Sequence, residues 1–374
     1  MAKVTLQTIA DKVGVSRMTV SNAFSRPDQL SATLRARILT AAEELGYAGP
    51  DPAARALARG STGAIGVLLT DSLQYAFTDE NATGFLGAVA AALAPTGLAL
   101  TLLTESAQQR DVIPARDVAV DGALIYSCNP GSEGTAWLLR RKLPVVLVDQ
   151  TPEPGSASVN IDDYGGAQAG AAHLVELGHR RIAILSVSAV GPFGELADPV
   201  PAGISHVTRQ RLTGWLVPLT AAGLRPTVLQ QPTNATPAAE IAATRRLLDS
   251  ADPPTAILCF SDAIAANVIR TIQDAGLRVP EDLSVVGFDD SPLAERVRPT
   301  LTTVRQDVAA KGRAAVAALI EKIAAIEKAE QAPVAAGTAA IETAAIETAT
   351  IETAAVLLPT ELVVRNSTAP PPGR

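Results

Sequence analysis

The spacing of apolar positions changes near residue 62. Before it, Leu6, Ile9, Ala10 and Val13 recur at helical spacing, with Thr5 placed to cap, so a helix is predicted over about Leu6 to Val13. Gly14 supplies a turn residue that enters left-handed backbone space cheaply. Ser16 then caps a second helix from about Arg17 to Phe24, and Pro27-Asp28 marks a loop. Ser31 caps a third helix, about Ala32 to Leu45, closed by Gly46. Short helices joined by a tight turn read as a helix-turn-helix. Asp51 to Arg59 opens with Pro52 at a first helical position and continues in Ala, Arg and Leu. So short a segment does not hold a helix alone in water, and is expected to be helical only when something orders it.

Beyond residue 62 short apolar runs alternate with helical stretches. The runs predict strands at Ile65–Leu69, Leu98–Leu103, Ala123–Tyr126, Val145–Val148, Ile182–Leu185, Ala256–Phe260 and Val285–Phe288. Helices are predicted at Gly84–Ala94, Gly165–Leu177, Ala238–Leu248 and Ala263–Ala275. Continuous apolar strands between helices imply parallel sheets covered on both faces, and the length implies two α/β lobes. Asn81 to Thr104 is free of charge, but Pro95-Thr96-Gly97 interrupts it, so no membrane span is expected. Residues 338–353 repeat every five residues, a period that makes no single apolar stripe on a helix or a strand. They read as a low-complexity surface insertion, and NSTAPPPGR reads as a disordered tail. No leucine heptads of a tetramerising coiled coil are present in it.

Charge divides where the pattern does. Residues 1–62 carry eight Lys/Arg and five Asp/Glu; the remainder carries 23 and 33, for a net charge of −7 overall. A basic head on an acidic body suggests that only the head meets a polyanion. The two cysteines, Cys128 and Cys259, exclude a disulfide scaffold or a four-thiolate zinc site and read as buried thiols. MAKVTLQTIADKVG lacks an apolar signal-peptide core, so the chain is expected to stay in the cytoplasm. His173 and His179 read as the end of a surface helix, and no nucleophile, metal or phosphate-loop motif is present. Asp162-Asp163 and Asp289-Asp290 are poor acid/base or metal pairs, because adjacent strand residues point to opposite faces. No enzyme, metal or cofactor is expected.

In a helix-turn-helix the second helix presents its N-terminal side chains to base edges in the major groove. Here these are Arg17, suited to a guanine edge, Met18, suited to a thymine methyl, and Asn22 one turn on, for an adenine or a phosphate. Thr5, Ser16, Thr19 and Ser21 are short donors for phosphates. In the body, ligands of open α/β sheets bind beyond the carboxyl ends of strands, which brings forward Asp71, Asp149, Ser261-Asp262 and Asp289-Asp290. Arg211, in Arg-Leu-Thr-Gly-Trp, stands where a helix would begin after an irregular loop. Carboxylates and a guanidinium converging on a cleft suit a polyhydroxyl ligand.

The run Gly14-Val15-Ser16-x-x-Thr19-Val20-Ser21 and the segment Pro52-Ala-Ala-Arg-Ala-Leu57 resemble the LacI family of transcriptional regulators. The likeness continues to about residue 326 and resumes over residues 354–368. It implies a helix-turn-helix head (1–49), a hinge helix (50–61) and a two-lobed, periplasmic-binding-protein-like body (62–368). Lobe one would be about 62–160 and 291–325, lobe two about 162–289 and 356–368, with an insertion at 333–355 and a tail at 369–374. Paired hinge helices would lie in the minor groove, with Ala54 on DNA and Leu57 wedged between base pairs. Gly49 adds a residue before the hinge. Arg211 and Asp289 match effector-binding positions, Ser261 stands where Asn is common, and Asp149 and Gln306 align with the cleft. Phe77 is placed to stack on a sugar face or a nucleobase. The loop from Ser186 to His206 is longer than usual. The function implied is a homodimeric repressor of a near-palindromic double-stranded operator, controlled by a small effector. A sugar or sugar derivative is the first reading and a purine corepressor the second. A sugar-binding protein or an enzyme on the same body comes last.

Overall fold

The computed structural model describes residues 4–49, 51–69, 76–77, 79–104, 112–126, 131–153, 156–233, 235–330 and 355–373. The chain forms two compact units, Met1–Gly63 and Ala64–Arg374. In the first, α1 (Leu6–Val13), α2 (Arg17–Ser25) and α3 (Ala32–Glu44) enclose Ile9, Ala10, Val20, Ala23 and Ile38. Burying each of the larger of these contributes about 1.5–3 kcal/mol. Thr5, Ser16 and Ser31 cap the three helices as expected, each side chain accepting a backbone N–H of the first turn. Gly14 ends α1 at φ 77°, a conformation that a Cβ would strain. α4 (Pro52–Arg59) follows, capped by the Asp51 carboxylate, with Gly60 after it.

The second unit holds two sheets. Lobe one is built on β1 (Ala64–Leu69), β2 (Ala99–Thr104), β3 (Gly122–Tyr126), β4 (Val145–Val148) and β5 (Ala157–Ile161), all parallel. Its described helices are α5 (Glu80–Leu93), α6 (Pro114–Asp117) and α7 (Glu133–Arg140). Lobe two begins with α8 (Asp163–Glu176), β6 (Ile182–Ser188), the short β7 (Gly194–Glu195), α9 (His206–Ala221) and β8 (Thr227–Pro232). It continues with α10 (Pro237–Leu248), β9 (Ala256–Cys259), α11 (Asp262–Asp274), β10 (Ser284–Val286), α12 (Pro292–Arg296) and β11 (Thr303–Gln306). The chain then returns to lobe one as α13 (Val308–Glu330) and ends in β12 (Ala355–Leu358) and β13 (Thr360–Val363). The strand orders are β12-β5-β4-β3-β1-β2 in lobe one and β10-β9-β6-β8-β7 in lobe two; β11 pairs with β13. The two α/β lobes expected from the pattern are therefore present.

Several boundaries differ from expectation. Residues 291–306 belong to lobe two, because Ala294 and Leu301 are buried in its core beside Ile272 and Val285, and Val304 joins Phe288 and Leu258. The segment 356–368, expected wholly in lobe two, is divided: β12 completes the lobe-one sheet against β5, while β13 pairs with β11. The chain thus passes between lobes at Asp162, Asp307 and Pro359. β5 and β8 escaped prediction because Ser158, Asn160, Gln230 and Gln231 are polar yet buried in them. The long loop before α9 contributes β7 to the sheet edge, held by Gln230 Nε2 donating to the Pro192 carbonyl at 2.7 Å. α9 starts at His206, capped by Ser205, a full turn before Arg211.

The expected tail is fixed at its start: Ser367 Oγ donates to the Val285 carbonyl, and the Ala369 carbonyl accepts from Ser284 Oγ at 3.0 Å. His179 is not on the surface either; it is 1% exposed and bridges Thr255 and the Ala369 carbonyl, each at 2.9 Å. Cys259 is buried and free. Cys128, Asp71 and the repeat at 338–353 lie outside the described residues. Among those described, no helix is long and apolar enough to cross a membrane.

Candidate functional sites

The first site is the leading edge of α2. Ser16 Oγ accepts the Thr19 N–H at 3.0 Å and shares a proton with Thr19 Oγ1 at 2.8 Å, so these hydroxyls rigidify the turn that presents their neighbours. Thr5 plays the same part for α1 in a reciprocal cap with Thr8. Arg17 is exposed and Met18 is 69% exposed, an uncommon state for an apolar side chain that no core claims. Ser21 is half-buried, and Asn22 donates from Nδ2 to Gln29 Oε1 at 3.2 Å, which ties it to the turn after α2. Gln29 was not singled out in the sequence; its polar side chain in a Pro-Asp-Gln turn gave no signal.

α4 is a helix without a core. The Asp51 carboxylate accepts from the Ala53 and Ala54 N–H groups at 2.9 and 3.3 Å, satisfying orphan donors of its first turn. None of its described side chains is buried; Ala54 is exposed and Leu57 is 87% exposed. Leu57 therefore belongs to no cluster within its unit.

The second site is a cavity of about 240 Å³ in the second unit, lined from lobe one by Asp79, Tyr126 and Asp149 and from lobe two by Asp163, Arg211 and Asp289. Phe260 and Ser261, at the end of β9, also line it. Strand ends supply most of these groups, as the parallel topology requires. Asp149 after β4 and Asp289 after β10 hold φ at 55° and 121°, strained for non-glycine residues, and such strain costs about 1–3 kcal/mol each.

Arg211 is the centre of the arrangement and is 4% exposed. Its Nε donates to Asp163 Oδ1 at 2.8 Å, its Nη1 donates to the Phe260 carbonyl at 2.5 Å, and its Nη2 lies 3.6 Å from Asp289 Oδ1. The guanidinium packs 3.6 Å from the centre of the Phe288 ring and 4.6 Å from that of Phe260. Planar stacking with several directed bonds is a task for Arg, not Lys. Gln306 is buried behind Asp289, donating to its Oδ1 at 2.7 Å. Lys311 of α13, 1% exposed, donates to Gln306 Oε1 at 2.9 Å and to Asp149 Oδ2 at 2.6 Å. A continuous polar chain thus runs Asp149–Lys311–Gln306–Asp289–Arg211–Asp163.

Burial dominates the protonation of the two aspartates beside Arg211. It pushes Asp163 up to about 6 against the pull of Arg211, and raises Asp289 well above the ordinary carboxylate range. Burial opposes the charge on Arg211, but Asp163 and Asp289 outweigh it and raise its pKa. Asp262 is raised to about 7, again chiefly by burial, and serves structure: it accepts from Thr303 Oγ1 and the Ser291 N–H. Asp290 pairs with Arg305 and Arg365, and Asp162 caps α8 through the Gly165 N–H. The adjacent aspartates therefore serve separate places, though not through strand alternation: Asp162 and Asp163 open α8, and Asp289 and Asp290 lie beyond β10 with positive φ.

Of the expected cleft residues, Asp149, Arg211, Ser261 and Asp289 line the cavity, and Ser261 also caps α11. Gln306 stands one layer behind. Phe77 is not brought in: it is 60% exposed and absent from the lining, whereas its buried neighbour Ala76 is part of it. Consecutive residues of a helical turn point about 100° apart, which separates the two. Asp79, Asp163 and Lys311 were missed. Lys311 did leave a signal, because it falls on the same i, i+4 stripe as the buried Ala315 and Leu319. Among the described residues no cluster could hold a metal ion.

Residues 5–49 match the model of the bacterial regulatory proteins of the lacI family, and residues 171–342 match a periplasmic binding protein-like domain. The chain is 37% identical over 333 residues to an HTH-type transcriptional regulator of Mycolicibacterium smegmatis, covering 84% of this chain and 89% of the relative. It is 38% identical over 331 residues to the HTH-type transcriptional regulator IpsA of Corynebacterium glutamicum, covering 85% and 91%. Among solved structures, a complex of the transcriptional regulator CelR with cellobiose aligns over 98% of this chain and all of that one, with TM-score 0.67 and 28% identity. The lac repressor dimer bound to operator and the anti-inducer ONPF aligns over 98% of this chain with TM-score 0.74 and 25% identity. These relatives are regulators, not enzymes, and this chain is a transcriptional regulator with a helix-turn-helix head on a periplasmic-binding-protein-like body. It belongs to the LacI family.

Proposed function

We propose that the chain is a homodimeric repressor that holds a near-palindromic operator and changes its grip when a sugar or sugar derivative enters the cleft. The observation that carries this reading is the buried Asp163–Arg211–Asp289 centre in a cavity walled by both lobes. Polar groups fixed in advance by their own bonds can each take two neighbouring hydroxyls without reorganising. Cellobiose in the solved CelR complex supports the same class of ligand. A purine corepressor is less well supported. Phe260 and Phe288 already pack against Arg211, and Tyr126 stacks on Phe85 at 4.4 Å between ring centres, so the cavity offers a nucleobase few free faces.

In this reading Arg17 and Met18 meet base edges, with Asn22 beside them. Thr5, Ser16, Thr19 and Ser21 meet phosphates. Ala54 and Leu57 enter the minor groove as paired α4 helices, the lac repressor–operator dimer being the supporting likeness. The lobes touch across the cleft at two further points. Glu80 of α5 accepts the Leu293 N–H at 3.2 Å and lies 3.6 Å from Arg296, and Thr151 meets His206 at 3.4 Å. A ligand that binds one lobe arrangement better shifts the balance only by that difference in affinity. The test is a gel shift on the DNA upstream of the gene, with and without candidate sugars, for the natural chain and Asp289→Ala. The variant should bind DNA and ignore the sugar; a variant that still responds would remove Asp289 from the effector site.

A further inference from the structure

We propose that the cleft admits only polyols without an anionic group, neutral or cationic, and rejects their phosphorylated and carboxylated derivatives. The inference rests on reading the cleft as a polyol site. Its first basis is the charge around the cavity. Among the described residues the lining carboxyl groups are Asp79, Asp149, Asp163, Glu240 and Asp289, and the lining cation is Arg211. Every nitrogen of that guanidinium faces a partner: Asp163, the Phe260 carbonyl and Asp289. Lys311 stands behind the wall, held by Asp149 and Gln306. A phosphate would have to compete with two aspartates for this guanidinium, the group by whose planar fork proteins commonly hold one.

The second basis is independent of the charge count. Acceptors, not donors, are in surplus at the wall. Asp149 is 6% exposed, and its Oδ1 has no hydrogen-bond partner among the described residues. The same holds for Asn81 Oδ1, and both residues line the cavity. A buried acceptor without a donor is costly, so the complement it calls for is an O–H or N–H on the ligand. Hydroxyls and ammonium groups supply that. Phosphate and carboxylate add acceptors that these acceptors cannot satisfy, and negative charge that the ionised members of the lining carboxyl groups repel.

The experiment uses the full chain and matched probes built on glucose, galactose and ribose: the parent sugar, its amino derivative, its phosphate and its carboxylate. Melting temperature identifies which parent or amino sugars bind. Each anionic derivative is then read by competition against that sugar. Melting alone does not suffice, because a separate hollow in lobe two, lined by Arg180, Arg181, Arg225 and Arg246 beside Glu195 and Asp252, is a second place where an anion can bind. The anionic derivatives should compete about a hundredfold less well than their parents, the order expected for like charges at a few ångströms in a partly buried site. Asp79→Asn keeps a residue able to cap α5 and should narrow that gap about tenfold; Glu240→Gln, at the opposite wall, should act in the same direction. A sugar phosphate or carboxylate that competes as well as its parent would overturn the inference. A panel in which no member binds would instead overturn the polyol reading beneath it.

Discussion

Arg211 shows how much one side chain can be asked to hold. It reaches two aspartates and a backbone carbonyl while its guanidinium carbon lies over the Phe288 ring. Arg211→Lys keeps the charge but loses the plane, the stacking and the fork. We expect Arg211→Lys to lose about 1.5–3 kcal/mol of stability, as when a buried hydrogen bond to a charged group goes, and to lose its response to the effector. Urea unfolding and the sugar-dependent gel shift measure the two effects separately. Arg211 and Asp289 were legible in the sequence because each lies beside a local landmark, Arg211 three residues before a Gly-aromatic pair and Asp289 just after a strand. The role of Asp163 was not, and for Lys311 the helical stripe gave the burial but not the partners. The partners of each are far away in the chain, Arg211 48 residues on from Asp163 and Asp149 162 residues back from Lys311, and no local pattern encodes such pairings.

At the scale of elements, α8 and α9 set the distance between Asp163 and Arg211. A Cβ on Gly214 of α9 would strike the Tyr164 carbonyl oxygen and lie 2.9 Å from the Ala167 Cβ, both on α8. Gly214→Ala should therefore push the helices apart, cost about 1–3 kcal/mol, and weaken the effector response with the operator contacts untouched. Calorimetry and the gel shift read these outcomes. α4 predicts the opposite division. Leu57 touches no core, so Leu57→Ala should leave the melting temperature unchanged while lowering operator affinity by at least about tenfold, the order of an apolar wedge lost from a base step. Fluorescence anisotropy on labelled operator measures it. The head's elements were readable almost to the residue because a side-chain cap marks every helix start and a glycine closes α1, α3 and α4. The body's were less so. β5 and β8 hide buried polar residues, and the division between lobes follows packing partners that no local pattern announces.

For the molecule as a whole, the raised aspartates give stability a dependence on pH. Asp163 has an ordinary value of 3.8 and titrates near 6 in the folded chain. Between these values the folded state binds more protons than the unfolded state, so this group's contribution is fully present below about 4 and is lost as pH rises through 6. Asp262 acts in the same sense up to about 7. His173, His179 and His206 act in the opposite sense, their values lowered mainly by burial. Comparing the natural chain with Asp163→Asn cancels the histidines. From pH 5 to pH 7.5 the natural chain should lose about 1 kcal/mol more than the variant, read as the shift in urea midpoint.

The C-terminal segment has a consequence for synthesis. β12 finishes one sheet, β13 braces the crossing strand β11, and Ser367 with Ala369 closes the far side of the other lobe. Every other described strand is synthesised before residues 355–369, so neither lobe reaches its final form on a nascent chain that stops short of them. A stop codon ahead of residue 355 would release a finished reading head on an unfinished receptor.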